Sequence, residues 1–256
     1  AWLGVALALI AFFIWQNNDI VLSKISCAHG RVPQLFDGFK VLLVSDLHGK
    51  RFGRGQKKLL KKAAVCRPDI IVITGDLVDS RRKKTEAALE FVAQATEIAP
   101  VYYVTGNHEW SYGRYDALRE QLLAAGAVVL DSTGVTLQKG EAKIHLAGVK
   151  DPAFCSKTQF TKSLRRLAGS PGMTILLTHR PEEIELYAAY GFDLVLAGHA
   201  HGGQVRLPFI GGLYAPGQGV FPRYTSGLHN MKETAMVVSR GLGNSLFPLR
   251  VFNRPE

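Results

Sequence analysis

One pattern restricts this chain more than any other, and it recurs five times. A short apolar run stops abruptly at a cluster rich in Asp, His or Asn, usually beside glycine. Phe39 to Val44 ends in Ser45-Asp46-Leu47-His48-Gly49, and Asp69 to Thr74 ends in Gly75-Asp76-Leu77-Val78-Asp79. Val101 to Val104 runs into Gly106-Asn107-His108-Glu109, and Met173 to Leu177 into Thr178-His179. Asp193 to Ala197 runs into Gly198-His199-Ala200-His201-Gly202-Gly203. Apolar runs bounded in this way read as buried strands. Between them, Gln56 to Val65 sets Leu59, Leu60, Ala63 and Ala64 on one face and lysines elsewhere, which predicts a helix. Thr85 to Ile98 predicts a second. Pro181, with Glu182 and Glu183, suits the opening of a third, since proline tolerates the first position and acids favour the dipole. Strands alternating with helices predict an α/β fold with a largely parallel sheet and a site at the strand ends.

The middle and the tail differ from this alternation. Val128 to Leu130, Val135 to Gln138 and Lys143 to Ala147 read as short strands, the last two joined by a turn at Lys139-Gly140-Glu141. Gln204 to Leu207, Ala235 to Arg240 and Leu249 to Phe252 are expected to close a second, more antiparallel sheet. No linker divides the chain, and its 256 residues suffice for one large domain. Residues 1 to 15 carry no charge, and as a helix they would span roughly 22 Å against a hydrocarbon core of roughly 30 Å. Gln16-Asn17-Asn18-Asp19 is a poor cleavage site, so residues 1–16 are expected to be an apolar membrane anchor or signal-anchor. Residues 17–38, punctuated by Gly30, Pro33 and Gly38, read as a connecting segment, and 39–256 as the catalytic domain.

The five clusters hold Asp46, His48, Asp76, Asn107, His108, His179, His199 and His201, so five of the eight histidines fall at strand ends. Core packing does not explain that concentration. Imidazole, carboxylate and amide oxygen suit manganese, iron or zinc without any cysteine. In Asp-x-His and His-x-His the chain must leave the strand for both side chains to turn inward, and the glycines permit the required dihedrals. Any one cluster alone has a bland explanation, such as a hydrogen-bonded core histidine. Five in this order, each after an apolar strand, do not.

Taken together, these motifs resemble the calcineurin-like metallophosphoesterase superfamily over roughly residues 39 to 252. The resemblance implies a four-layer α/β/β/α sandwich of two mixed sheets and two divalent metal ions. One ion would take Asp46, His48, Asp76 and His201. The other would take Asp76, Asn107, His179 and His199, with Asp76 bridging and His108 free to act as general acid. Asp79 and Glu109 would stand outside the ligand shell, Asp79 orienting a histidine or capping the next helix. Arg180 and Arg206 are candidates for phosphate contact or for surface salt bridges. The stretch Gly202 to Pro216 and the tail from Ser239 to Asn244 and Pro248 to Arg250 are similar to a bacterial membrane-associated phosphodiesterase branch.

The net charge of +10 favours anionic partners, with basic runs at Arg51, Arg54, Lys57, Lys58, Lys61 and Lys62 and at Arg81 to Lys84. No aromatic residues interleave these runs, so nucleic acid is not an expected partner. Three cysteines without metal-type spacing make a disulfide framework an unexpected reading. The leading expectation is hydrolysis of a phosphodiester or pyrophosphate bond in a lipid-linked substrate, a phospholipid or lipid-linked nucleotide, at a membrane. A membrane-tethered phosphodiesterase or nuclease on a soluble substrate is the alternative. A non-catalytic, metal-stabilised binding protein is the third, and the spare His108 argues against it.

Overall fold

The computed structural model describes residues 2–244 and 247–256; Ala1, where the apolar run begins, lies outside them. Helix α1 (Trp2–Asn18) comes first. A parallel sheet follows in the order β1 (Val41–Val44), β2 (Ile70–Thr74), β3 (Val101–Val104) and β4 (Val128–Val129). Helices α2 (Lys57–Cys66) and α3 (Glu86–Ala95) connect its strands, with α4 (Asn107–Tyr112) and α5 (Tyr115–Ala124) between β3 and β4. Strands β5 (Thr133–Lys139) and β6 (Ala142–Gly148) begin a second sheet, followed by α6 (Lys157–Ala168), β7 (Met173–Leu177), α7 (Ile184–Ala189) and β8 (Leu194–Ala197). Two short antiparallel ribbons come next: β9 (Arg206–Leu207) with β10 (Gly211–Gly212), and β11 (Tyr214–Ala215) with β12 (Gly219–Val220). Strands β13 (Gly227–Met231) and β14 (Thr234–Val238) complete the second sheet, in the order β13-β14-β8-β7-β6-β5.

Strand periodicity makes the layers. Along β2, Ile71 and Ile73 pack with Leu59, Phe91 and Leu122 of the helices. Ile70 and Val72 turn the other way, against Ile175 and Leu196 of the second sheet. Leu176 and Val195 face outward again, onto Phe160 and Leu164 of α6 and Tyr187 of α7. Strands buried on both faces need no polar alternation, which is why these read as continuous apolar runs. Three apolar cores between four layers give the expected α/β/β/α sandwich, but only the second sheet is mixed; the first is wholly parallel, because a crossover with helices joins each of its strands to the next.

Several local expectations change. Pro181 opens only a single 3-10 turn before α7. Leu249 to Phe252 forms no strand; Val251 makes one isolated parallel bridge to Val205. Residues 204 to 207 contribute β9 to a ribbon and not to the second sheet, because Gly202 and Gly203 (φ 63° and 81°) turn the chain away. β14 pairs parallel with β8, and its antiparallel partner is β13, which alternates too weakly to read as a strand.

Helix α1, at 1.5 Å per residue, is about 25 Å long. Among the described residues no helix is long and apolar enough to cross a membrane. Its last turn is built differently from the rest, because Gln16 and Asn17 are buried. Asn17 Oδ1 accepts from the Arg250 backbone N–H (2.9 Å) and Asn244 Nδ2 (3.0 Å), and Gln16 Oε1 from the Asn253 N–H (3.2 Å). Lys50 Nζ donates to the Asn17 carbonyl.

Candidate metal centre

All five clusters arrive at one end of the two sheets, because every strand that carries one runs the same way. Five of the residues there, Asp46, His48, Asp76, His199 and His201, have φ between 48° and 65°. Left-handed backbone at non-glycine residues costs about 1–2 kcal/mol each and collects at functional sites. It also solves the i, i+2 problem, since a turn after the strand brings both side chains of Asp46-x-His48 and His199-x-His201 inward. Glycine fits where these turns crowd together. A Cβ on Gly75 would lie 2.5 Å from Gly106 N and 2.8 Å from His179 Nδ1, and one on Gly198 would lie 1.8 Å from Ser45 Oγ.

The side chains form two buried groups, Asp46, His48, Asp76 and His201, and Asp76, His179 and His199, each with its ligand atoms within 4.8 Å of one another. His201 Nε2 lies 3.1 Å from His48 Nε2 and 3.3 Å from Asp46 Oδ1. His179 Nε2 lies 3.0 Å from His199 Nδ1. Asp76 Oδ2 stands between the groups, 3.6 Å from His48 Nε2 and 3.3 Å from His179 Nε2. The Thr74 carbonyl takes the proton of His179 Nδ1 (2.7 Å), which leaves Nε2 as the inward atom.

This arrangement is unfavourable without cations and suits them well. Asp46 Oδ1 and Asn107 Oδ1 are buried without a hydrogen-bond partner, a state that costs about 1–3 kcal/mol for each group. Burial pushes the His48 imidazole down to about 3 and holds His199 and His201 well below the ordinary histidine range, which favours their neutral, metal-ligating form. Burial also works against charge on His179, yet Asp76 raises it to about 10. Nitrogen and oxygen donors of this kind suit manganese, iron or zinc.

The other expected residues fall around this pair of groups. His108 lies edge-on to His48, ring centroids 4.5 Å apart, and stays partly exposed. Its Nδ1 accepts the Ser80 backbone N–H (3.3 Å), so in the neutral ring the proton sits on Nε2. Asp79 does not cap α3, whose N-cap position is Thr85. It accepts instead from Arg81 N (3.0 Å), Nε (2.9 Å) and Nη2 (2.9 Å), with His108 Nδ1 3.9 Å away. Glu109 is fully buried and accepts from the backbone N–H groups of Gly106 (2.7 Å), Asp76 (2.9 Å) and Val78 (3.3 Å). It therefore ties the ends of β2 and β3 together. Glu109→Ala should strand three buried donors and destabilise the fold by about 3 kcal/mol or more. A thermal melt of the variant checks this, and an unchanged midpoint would refute it.

Arg180 forks onto buried Asp151 (2.7 and 3.1 Å) and extends Nη1 to His199 Nε2 (2.9 Å), which places it at the site and not in a surface pair. Arg206 donates to the Gly202 carbonyl (2.8 Å) and Thr225 Oγ1 (3.1 Å), bracing the loop after His201. Three residues with no site role expected from the sequence support the site from behind. Besides Asp151, Arg250 is 1% exposed and donates to the carbonyls of Arg240 and Gly243 (both 3.0 Å). Asn253 Nδ2 donates to the His201 carbonyl (2.7 Å). Their partners are mainly backbone atoms, so no sequence signal announces them.

Residues 39–203, more than half of the chain, match the family described as calcineurin-like phosphoesterase, and the chain belongs to it. It is thus a metal-dependent phosphoesterase, a hydrolase that uses two divalent cations. Among its relatives, the phosphodiesterase YaeI of Escherichia coli is 31% identical over 228 residues, covering 85% of this chain and 80% of that protein. A transmembrane protein with metallophosphoesterase domain from Bos taurus is 31% identical over 243 residues, 88% of this chain but 53% of its own length. The phosphopantetheinyl hydrolase PptH of Mycobacterium tuberculosis shares the fold, with a TM-score of 0.51 at 14% identity over 79% of this chain and 90% of that one.

Proposed function

We propose that this chain hydrolyses a phosphodiester or pyrophosphate bond in a lipid-linked substrate at a membrane surface. The observation that carries the reading is the seating of α1. Its apolar body is exposed, while its buried last turn is bonded through Asn253 to the carbonyl of His201. An apolar helix fixed to the frame of the metal centre keeps that centre close to whatever surface the helix enters. The relative named phosphodiesterase and the relative named transmembrane protein support the bond type and the setting.

In this reading Asp46, His48, Asp76 and His201 hold one cation, and Asp76, Asn107, His179 and His199 hold the other. Two such ions polarise the phosphoryl group and lower the pKa of water, the chemistry they supply when bound. The protein's own part is to place and protonate. Arg180, locked by Asp151, presents a fixed positive charge beside His199 for a phosphoryl oxygen. His108, with its proton on Nε2, protonates the departing alkoxide.

A hydrolysis screen of lipid-linked and soluble nucleotide substrates, run on the full chain in detergent, tests the substrate class. Faster turnover of the soluble substrates would overturn it. Chelation should abolish activity and lower the thermal midpoint, since a site held at a hundredfold its dissociation constant adds about 2.7 kcal/mol. Adding back manganese, iron or zinc singly then identifies the working cation, and full activity after exhaustive chelation would contradict the assignment.

A further inference from the structure

Aromatic and aliphatic side chains normally avoid water in numbers, and a contiguous exposed group of them marks a contact surface. Beyond α1, such residues concentrate in the segment that leaves the metal centre. Phe209, Ile210, Tyr214, Val220 and Phe221 are all more than half exposed, and Phe209 projects fully into solvent. Phe252 belongs to the same face. Its ring lies 5.7 Å from Phe12 of α1, and its neighbour Val251 bridges Val205. Leu213 N donates to the Gly203 carbonyl (3.1 Å) and Phe221 N to the Leu213 carbonyl (2.9 Å), so the ribbons are bonded back to the His201 loop.

The charge carried by this stretch of sequence has one sign. From residue 194 to residue 232 the chain has no Asp or Glu, yet it carries Arg206, Arg223 and Lys232. At the end of α1, Lys50 bonds the Asn17 carbonyl, and the basic run from Arg51 to Lys62 follows it in the chain. The acids beside it are paired: Glu182, which lies against Gly217, with Arg180 (3.6 Å), Asp19 with Arg254 and Glu256 with Arg240. Apolar anchors framed by basic groups match the layered chemistry of an anionic bilayer, acyl chains below and phosphates above.

We propose that residues 207 to 221 insert into an anionic phospholipid surface beside α1, forming a second point of attachment that sets the metal centre over the headgroups. The proposal deepens the membrane reading above and rests on it. Two contacts define a plane where a single helix would leave the domain free to swivel. The substrate class that fits is one whose phosphate lies at headgroup depth while its acyl chains stay in the bilayer.

The test uses the full chain with two metals and vesicles of phosphatidylcholine, with or without phosphatidylglycerol. In a Phe209→Trp variant, brominated acyl chains should quench fluorescence beyond the parent's, and more strongly when phosphatidylglycerol is present. The double variant Phe209→Ser/Phe221→Ser should bind these vesicles about tenfold or more weakly, while turnover of soluble bis-nitrophenyl phosphate stays unchanged. Both side chains are exposed, so folding is not at stake. If the tryptophan at 209 stays unquenched on protein that co-sediments with vesicles, the proposal is overturned. Quenching without turnover of any ester would leave this face standing and overturn the reading of the site instead.

Discussion

Asp76→Asn should lower phosphodiester hydrolysis by about a thousandfold or more, because cation clamping contributes several kcal/mol and each 1.36 kcal/mol is tenfold in rate. The substitution keeps the shape of the side chain, and the reason for the loss is directional. Asp76 Oδ1 accepts the His108 backbone N–H at 2.8 Å, a bond that the amide oxygen of asparagine can retain. The amide nitrogen would then occupy the place of Oδ2, between His48 and His179. There it would turn N–H donors toward both groups in place of a shared lone pair. Metal content should fall together with activity, and elemental analysis beside a bis-nitrophenyl phosphate assay reads both. Full turnover with two metals bound would falsify the bridging assignment.

His108→Ala should cost about 10²–10⁴-fold on an ester whose leaving group is a glycerol or sugar alkoxide. On a nitrophenyl ester the loss should be clearly smaller, because that phenolate departs without a proton. The structure sharpens the contrast. Ser80 occupies Nδ1, so Nε2 is the atom with a proton to give, and the ring touches His48 without joining either ligand group. Metal content should therefore survive the substitution. An equal loss on both esters, together with lost metal, would mean that His108 holds a cation and would reopen the choice between it and Asn107.

The strand ends were the most legible part of this chain. Apolar runs that stop at Asp46, Asp76, Asn107, His179 and His199 read as buried strands opening onto one rim, while the four layers came from the family resemblance of these motifs. Helix α6 was also there to be read. Ser156 and Gln159 form a reciprocal capping box, and Phe160, Leu164 and Leu167 repeat on one face. No polar cluster follows it, so its only signals are the cap and the apolar period. The supports of the site were not legible in the same way. Arg250 and Asn253 act on backbone carbonyls brought from elsewhere in the chain, and such partners have no side-chain signature. The positive φ values of five inward-facing residues are likewise a product of crowding at the rim, which only the assembled sheets create.

The polar last turn of α1 decides where this protein can be shortened. Trimming the apolar stretch is the obvious route to an easily handled enzyme, and a cut just before Gln16 would keep the hydrogen bonds of Gln16 and Asn17 to the tail while losing the Phe12–Phe252 and Trp15–Arg254 ring contacts. A cut a few residues later, at Asp19, would take away the acceptors of the Arg250 and Asn253 amides. Asn253 in turn steadies the carbonyl of His201. Two truncated chains differing by three residues would thus differ at the metal centre, the shorter one alone having lost what steadies the His201 carbonyl.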